Sequence, residues 1–246
     1  KSFEEQSLRL ADSVFGQTVS GKWVYQSEVI DYVEEDLFMA PDLSTIRKIP
    51  WNKEPTAQII CDLNYPSNEP SKIAPRQVLK NIIKQLNDED LQAVVAPELE
   101  FYLCEQNLDP DLPLKTPIGK SGRRETGSRV FGIDAVNEFD KLTDDIYDYC
   151  ELMKIGVDTL VHESGPSQIE INLNHGDPLA LADQAFMFKR AVRQVALKHN
   201  IHATFMAKPY QGQPGSSMHI HQNLVSAKTG DNLFSDKEGN NSKEFF

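Results

Sequence analysis

Val157-Asp158-Thr159-Leu160-Val161-His162-Glu163-Ser164-Gly165-Pro166-Ser167-Gln168-Ile169-Glu170-Ile171-Asn172-Leu173 is the stretch on which the reading of the fold turns. Residues 168–173 alternate polar and apolar side chains as a half-buried strand does, residues 159–162 read as the strand before it, and Ser164-Gly165-Pro166 is a turn between them. Side chains in a strand point to opposite faces in turn, so Ile169 and Ile171 share one face and Glu170 takes the other. Glu163 ends the first strand, just before the turn. On the N-terminal side, Gly156 is a C-cap candidate for a helix over about 137–155. On the C-terminal side, Asp177 as N-cap and Pro178 at the first helical position open a helix that runs to about residue 199.

Further outward the alternation continues. A strand over 93–104 carries Glu98 and Glu100 on either side of Leu99. A strand over 202–207, a Gly/Pro/Ser loop over 211–217 and a strand over 218–224 follow the third helix, and the last strand places His219 and His221 around Ile220. Pro75 opens another helix, with Val78, Leu79, Ile82, Ile83 and Leu86 forming one apolar stripe. Residues 14–62 hold short β-type runs, such as Lys22-Trp23-Val24-Tyr25 and Ala57-Gln58-Ile59-Ile60-Cys61. The Pro/Ser/Asn-rich loop at 64–71 suggests a boundary between domains at 1–68 and 69–246. Alternating strands and helices make the second domain α+β or α/β.

With 246 residues, 39% hydrophobic and 25% charged, the chain can build a core, which excludes a disordered or collagen-like polypeptide. Its net charge of −12 disfavours nucleic acid and anionic membrane surfaces as partners and suits cations. Cys61, Cys104 and Cys150 are isolated and odd in number, as in a reduced, cytoplasmic protein. No apolar run is long enough for a membrane span, and the polar start has no signal-peptide core. A first residue other than Met and an end at Phe245-Phe246 suggest a fragment cut at both ends, with the N-terminal domain incomplete and the catalytic domain truncated at its C-terminus.

Glu98, Glu100, Glu170 and His219 fall on strand faces opposite the apolar Leu99, Phe101, Ile169, Ile171 and Ile220, and Glu163 joins them from the turn. Taken singly, each pair is what a solvated strand face displays. Taken together, like charges side by side on one sheet face repel and call for bound cations. Four carboxylates and one imidazole, with no thiolate nearby, suit Mg²⁺ or Mn²⁺ better than structural zinc.

Four segments then become recognisable: Pro97-Glu98-Leu99-Glu100-Phe101; His162-Glu163-Ser164-Gly165-Pro166-Ser167-Gln168-Ile169-Glu170-Ile171; Ala203-Thr204-Phe205-Met206-Ala207-Lys208-Pro209; and Gly215-Ser216-Ser217-Met218-His219-Ile220-His221. In this order they resemble the glutamine synthetase family, and Ala40-Pro41-Asp42-Leu43-Ser44-Thr45 resembles its small N-terminal domain. The resemblance implies an α+β fold: a β-grasp-like N-terminal domain, then a catalytic domain with a curved antiparallel sheet. It implies an ATP-dependent ligase that joins glutamate's γ-carboxylate to ammonia or an amine through a γ-glutamyl phosphate. By motif, Glu100, Glu163 and Glu170 would hold one divalent ion, and Glu98 and His219 the ion at the ATP phosphates. His221 and Asp158 match nucleotide positions and Gly215 the glutamate-binding loop. Phosphoryl transfer asks for such charge neutralisation. Family members form double rings of five or six subunits each, and continue past Phe246 into further arginines, a metal glutamate and a flap glutamate, so the chain by itself is expected to be inactive.

The ammonia-using members carry Asp-Gly-Ser-Ser where this chain reads Ser20-Gly21-Lys22-Trp23, and Asn where it has Pro214. The phrases at 158–163 and 172–178 are similar to the branch that glutamylates polyamines, the γ-glutamylputrescine synthetases among them. Three readings follow: a putrescine-type ligase, a glutamine synthetase, or an inactive structural or regulatory relative. The loop Lys120-Ser121-Gly122-Arg123-Arg124-Glu125-Thr126 reads as a solvated basic loop, the alternative being that Arg123 and Arg124 receive phosphate or a neighbouring subunit's carboxylates.

Overall fold

The structure is a computed structural model that describes residues 8–24, 35–109, 111–127, 129–236 and 238–243. Tyr25, the last residue of the expected run at 22–25, and the aromatic pair at 245–246 lie outside these residues. The chain divides into two compact units, residues 1–47 with 57–92 and residues 48–56 with 93–246.

In the first unit, β1 (Arg9–Ala11), β2 (Asp36–Lys48) and β3 (Ala57–Asn64) form a sheet in the order β1-β2-β3, with a 3-10 turn at Asp12–Gly16. The sequence reading missed β2 as one long strand because Pro41 interrupts it. Proline is tolerated there since β1 pairs only with residues 36–38, which leaves one edge of β2 open further on. Helix α1 (Pro75–Asp88) opens on its proline as expected, but none of its residues is buried, and Val78 and Ile82 of the apolar stripe are about half exposed. Charge ties it down instead. Arg76 donates to Asp42 on β2 and to Asp62 on β3, both at 2.6 Å, and Lys80 reaches the other Asp62 oxygen at 2.5 Å. Helix α1 falls within the first unit, and the compact division lies after Gln92, where the sequence suggested residue 68.

The second unit is organised on β4 (Leu91–Glu105). Its sheet runs β5 (Val157–His162), β6 (Gln168–Leu173), β4, β7 (Ile201–Thr204), and β8 (Met218–Ser226) also pairs with β4. The pairs β4–β6, β4–β7 and β5–β6 are antiparallel. Leu99, Phe101 and Leu103 of β4, with Ile169 and Ile171 of β6, are buried on the core face. Helix α4 (Pro178–Lys198) buries Phe188, Val192 and Val195, and Phe205 bridges the layers with ring centroids 5.2 Å from Phe101 and 6.5 Å from Phe188. Each such large side chain contributes about 1.5–3 kcal/mol on burial. The Asp177 carboxylate caps α4 by accepting from Ala180 N at 2.8 Å.

Several expected bounds shift. The helix over 137–155 is two helices, α2 (Ile133–Asn137) and α3 (Asp140–Leu152). Lys154, not Gly156, takes the left-handed conformation after α3, at φ +55°, which turns the chain so that Met153 and Ile155 are buried. The strand over 202–207 stops at Thr204, whose hydroxyl accepts from Met206 N. Ile220, expected in the core, is 56% exposed. No helix among the described residues is long and apolar enough to cross a membrane.

Candidate functional site

The registers bring the acidic residues to one face. Glu100 lies directly opposite Glu170 in the β4–β6 pairing, and Val161 lies opposite Glu170 on the other side. Glu98, two residues before Glu100, shares its face. From β8, His219 Nδ1 approaches Glu98 Oε2 at 3.3 Å and Glu100 Oε1 at 3.9 Å, and His221 Nε2 lies 3.0 Å from Glu98 Oε1. One ligating atom from each of Glu98, Glu170 and His219 falls within 4.8 Å of the others.

Burial raises the Glu170 pKa, and the charges of Glu98, Glu163 and Glu100 raise it further, while His219 lowers it. Burial is thus the main cause, and the neighbouring carboxylates add to it. Two carboxylates and an imidazole, with the Glu100 and Glu163 carboxylates adjoining and no thiolate, form an oxygen-rich donor set, so the residues present fit a divalent ion such as Mg²⁺ or Mn²⁺.

The trio cuts across the grouping that the resemblance implied, since it joins Glu170 to Glu98 and His219. Glu100 is already engaged. Its Oε2 accepts from Gln168 Nε2 at 3.0 Å and from Ser217 N at 3.1 Å, which leaves Oε1 towards His219. Glu163 sits at the turn, its Oε2 accepting from Ser164 N at 3.2 Å, and its charge reaches Glu170. Gly215 lies in the loop before β8, where a Cβ would stand 2.8 Å from Ala207 O, so its backbone runs too close for any side chain. Asp158 is not brought to this face. It is exposed at the irregular start of β5, and its charge acts on Tyr147 of α3 instead.

Gln168 was missed by the sequence reading, although its spacing from Glu170 puts both on one face. The amide is buried and fully used: Nε2 donates to Glu100 Oε2 and to Gly215 O at 2.9 Å, and Oε1 accepts from Gly165 N at 2.9 Å. One side chain thus joins the β4 carboxylate, the Gly165 turn and the Gly215 loop. Tyr102, also buried, donates to Pro214 O at 2.8 Å. Burial, then the Glu100 and Glu163 charges, push its pKa up to about 12, so it remains a neutral donor.

Glu125 was missed too. The loop around it is not simply solvated: the Glu125 side chain is 7% exposed, and Arg124 pairs with Glu105 at 2.5 Å. Glu125 Oε2 lies 2.8 Å from His162 Nε2 and accepts from Ser167 N at 2.7 Å. His162 Nδ1 meets the Glu163 carbonyl at 2.8 Å. A cavity of about 680 Å³ opens beside Glu125, lined also by Arg123, Arg129 and Glu138.

Comparison with known proteins places this geometry. The family model "Glutamine synthetase, catalytic domain" matches residues 72–245. The chain is 36% identical over 241 residues to gamma-glutamylputrescine synthetase PuuA of Escherichia coli (strain K12), an alignment that covers 97% of the chain and 51% of that protein. It is 32% identical over 227 residues to a glutamine synthetase of Methanocaldococcus jannaschii, covering 89% of the chain and 48% of the relative. Among solved structures, a GmaS/ADP complex matches with a TM-score of 0.70 at 26% identity, over 82% of this chain and 44% of that one. The chain spans about half the length of the curated relatives it matches. With the family model matching residues 72–245 and a curated relative 36% identical over 97% of the chain, the chain belongs to the glutamine synthetase family.

Proposed function

We propose that the natural protein carrying this chain is an ATP-dependent ligase that joins the γ-carboxylate of glutamate to an amine, with putrescine the leading acceptor. The observation that carries the reading is the convergence of Glu98, Glu170 and His219 on one face of a family-matched sheet, with Glu100 and Glu163 adjoining. In the reaction, a γ-carboxylate oxygen attacks the terminal phosphorus of ATP, giving γ-glutamyl phosphate and ADP. The amine nitrogen then attacks the acyl carbon, phosphate leaves, and the nitrogen loses a proton. Glu98, Glu170 and His219, with Glu100 and Glu163, would hold divalent cations, which neutralise phosphate oxygen charge. The Gly215 loop would receive glutamate, and His221 and Asp158 would face the nucleotide; for Asp158 only the motif supports this.

Putrescine is favoured over ammonia by the 36% identity to the putrescine enzyme and by Lys22 and Pro214, where ammonia-using members carry other residues. The second reading, a glutamine synthetase, is supported by the match to the archaeal enzyme. An inactive relative is disfavoured by the retention of all five expected metal-binding positions. By the same resemblance the first unit is β-grasp-like and the assembly a double ring. Free Cys61, Cys104 and Cys150 support a reducing cytoplasmic setting.

The test is phosphate release with ATP, Mg²⁺ and glutamate, comparing putrescine with ammonium. Release that depends on putrescine supports the leading reading, and release that depends on ammonium supports the second. No release with either amine refutes both.

A further inference from the structure

Glu125 lies more than thirty residues before the turn at 163–168 in sequence, yet it binds both ends of it. At one end a single oxygen, Oε2, accepts from Ser167 N at 2.7 Å. At the other, the same oxygen meets His162 Nε2 at 2.8 Å, and His162 Nδ1 meets the carbonyl of Glu163 at 2.8 Å. Across the mouth, Glu163 N donates to Gln168 O at 2.8 Å. The turn needs such support. Ser167 holds a left-handed backbone at φ +60° although it is not glycine, a conformation that persists only where the surroundings over-determine it. Gly165 is closed over by Tyr102, whose Oη stands 1.9 Å from where a Cβ would be.

We propose that Glu125 is a positioning residue that, through His162 and Ser167, fixes the turn presenting Glu163 to the carboxylate face. The inference rests on the reading of that face as a divalent-cation site. Burial raises the Glu125 pKa, but the hydrogen bonds from His162 and Ser167 and the charges of His162 and Arg129 outweigh it and lower the pKa overall. The group therefore stays an acceptor for both partners. The ends of the turn, and with them the Glu163 backbone, are thereby held to the 125–131 segment, where Phe131 N also donates to the His162 carbonyl at 2.9 Å. Partners of this outer kind typically change metal affinity or activity by about 10–100-fold when removed.

The test uses the natural protein carrying this chain and reads two quantities. Hydrogen exchange of the 163–168 amides, without metal, should speed up at least ~10-fold in Glu125→Ala and stay near wild type in Glu125→Gln, which keeps an acceptor for Ser167 N. Unchanged exchange in Glu125→Ala overturns the proposal. Mn²⁺ affinity, measured by calorimetry, should fall by about 10–100-fold in Glu125→Ala and be largely rescued in Glu125→Gln. Wild-type affinity in Glu125→Ala also overturns it. If the wild-type protein binds no Mn²⁺, the cation-site reading fails and the exchange result alone decides the role of Glu125 in the turn. Should Glu125→Ala not fold, Glu125→Asp withdraws the carboxylate by one methylene and is expected to change both readouts in the same direction.

Discussion

Gln168→Glu exchanges one NH₂ for one oxygen and leaves the shape of the side chain unchanged. In the wild-type protein that NH₂ donates to Glu100 Oε2 at 3.0 Å and to Gly215 O at 2.9 Å, in a position 1% exposed. After the exchange an acceptor faces two acceptors, one of them charged. The new carboxyl avoids this by binding a proton, shared with Glu100 as a coupled pair. Its folded pKa is therefore raised above the unfolded value, and the sign follows: the penalty is smallest below the unfolded pKa and grows as the pH rises towards the folded one. Holding a proton at pH 7 against an unfolded pKa of about 4.3 costs up to about 3.7 kcal/mol. The protonated carboxyl offers one donor for two acceptors, so the lost hydrogen bond adds roughly 1–2 kcal/mol at any pH. The expected destabilisation is thus about 1–2 kcal/mol near pH 4, rising by about 1.4 kcal/mol per pH unit to about 5 kcal/mol at pH 7. Urea denaturation at several pH values between 4 and 7, with Gln168→Leu as a control lacking the titration, measures it. A Gln168→Glu penalty that is flat across this range, or under about 1 kcal/mol at pH 7, would refute the reasoning.

Three further outcomes are expected. Gly165→Ala places a methyl 1.9 Å from Tyr102 Oη and 2.5 Å from its Cζ, so the buried ring must move and release Pro214 O; a loss of about 2–4 kcal/mol in denaturation is expected, and wild-type stability would contradict it. Asp42 is held to a pKa of about 2 by the Ser44 hydroxyl first and Arg76 second, so it stabilises the first unit above the ordinary carboxylate pKa and that stabilisation is lost as pH falls from about 4 to 2. With the carboxylate partly exposed the loss is about 1–2 kcal/mol, and acid unfolding of Ser44→Ala should show a smaller one. A divalent ion at a hundred times its Kd should raise the unfolding free energy by about 2.7 kcal/mol, reversibly with EDTA. Glu170→Gln should be the more stable protein without metal and should lose most of that gain, whereas a full gain in the variant would remove Glu170 from the cation site.

The strands of the second unit were legible because their alternation is strong. The 168–173 strand was read with its bounds intact, and the Asp177-Pro178 start of α4 carried two independent signals. The carboxylate face was legible for the same reason, since positions 98, 100 and 170 follow from period two. What one strand cannot reveal is its register with the next, and so the pairing of Glu100 with Glu170, and the company of Glu170 with Glu98 and His219 rather than with Glu100 and Glu163, emerge only in three dimensions. Gln168 and Glu125 were hidden differently. Their role is to satisfy buried hydrogen-bonding groups from distant segments, and neither periodicity nor local composition records that. Asp158 was placed by motif, and the irregularity between Val157 and Leu160 leaves it exposed at the far end of β5. In the first unit, Pro41 concealed a strand, and the half-exposed stripe of α1 shows that apolar spacing marks a helix without saying that the stripe is buried in it.

The alternation along β4 also sets which mutations of length the chain can survive. Deleting or inserting one residue before Glu98 would send Leu99 and Phe101 to the carboxylate face and drive the two glutamates into the layer occupied by Phe188 and Phe205. Substitutions along this strand can be graded, but a change of length by one cannot. The gap-free spacing of β4 is therefore as fixed a property of the molecule as the identity of its carboxylates, whereas the 107–117 loop beyond it, with its exposed Leu108 and Leu112, has no such parity to keep.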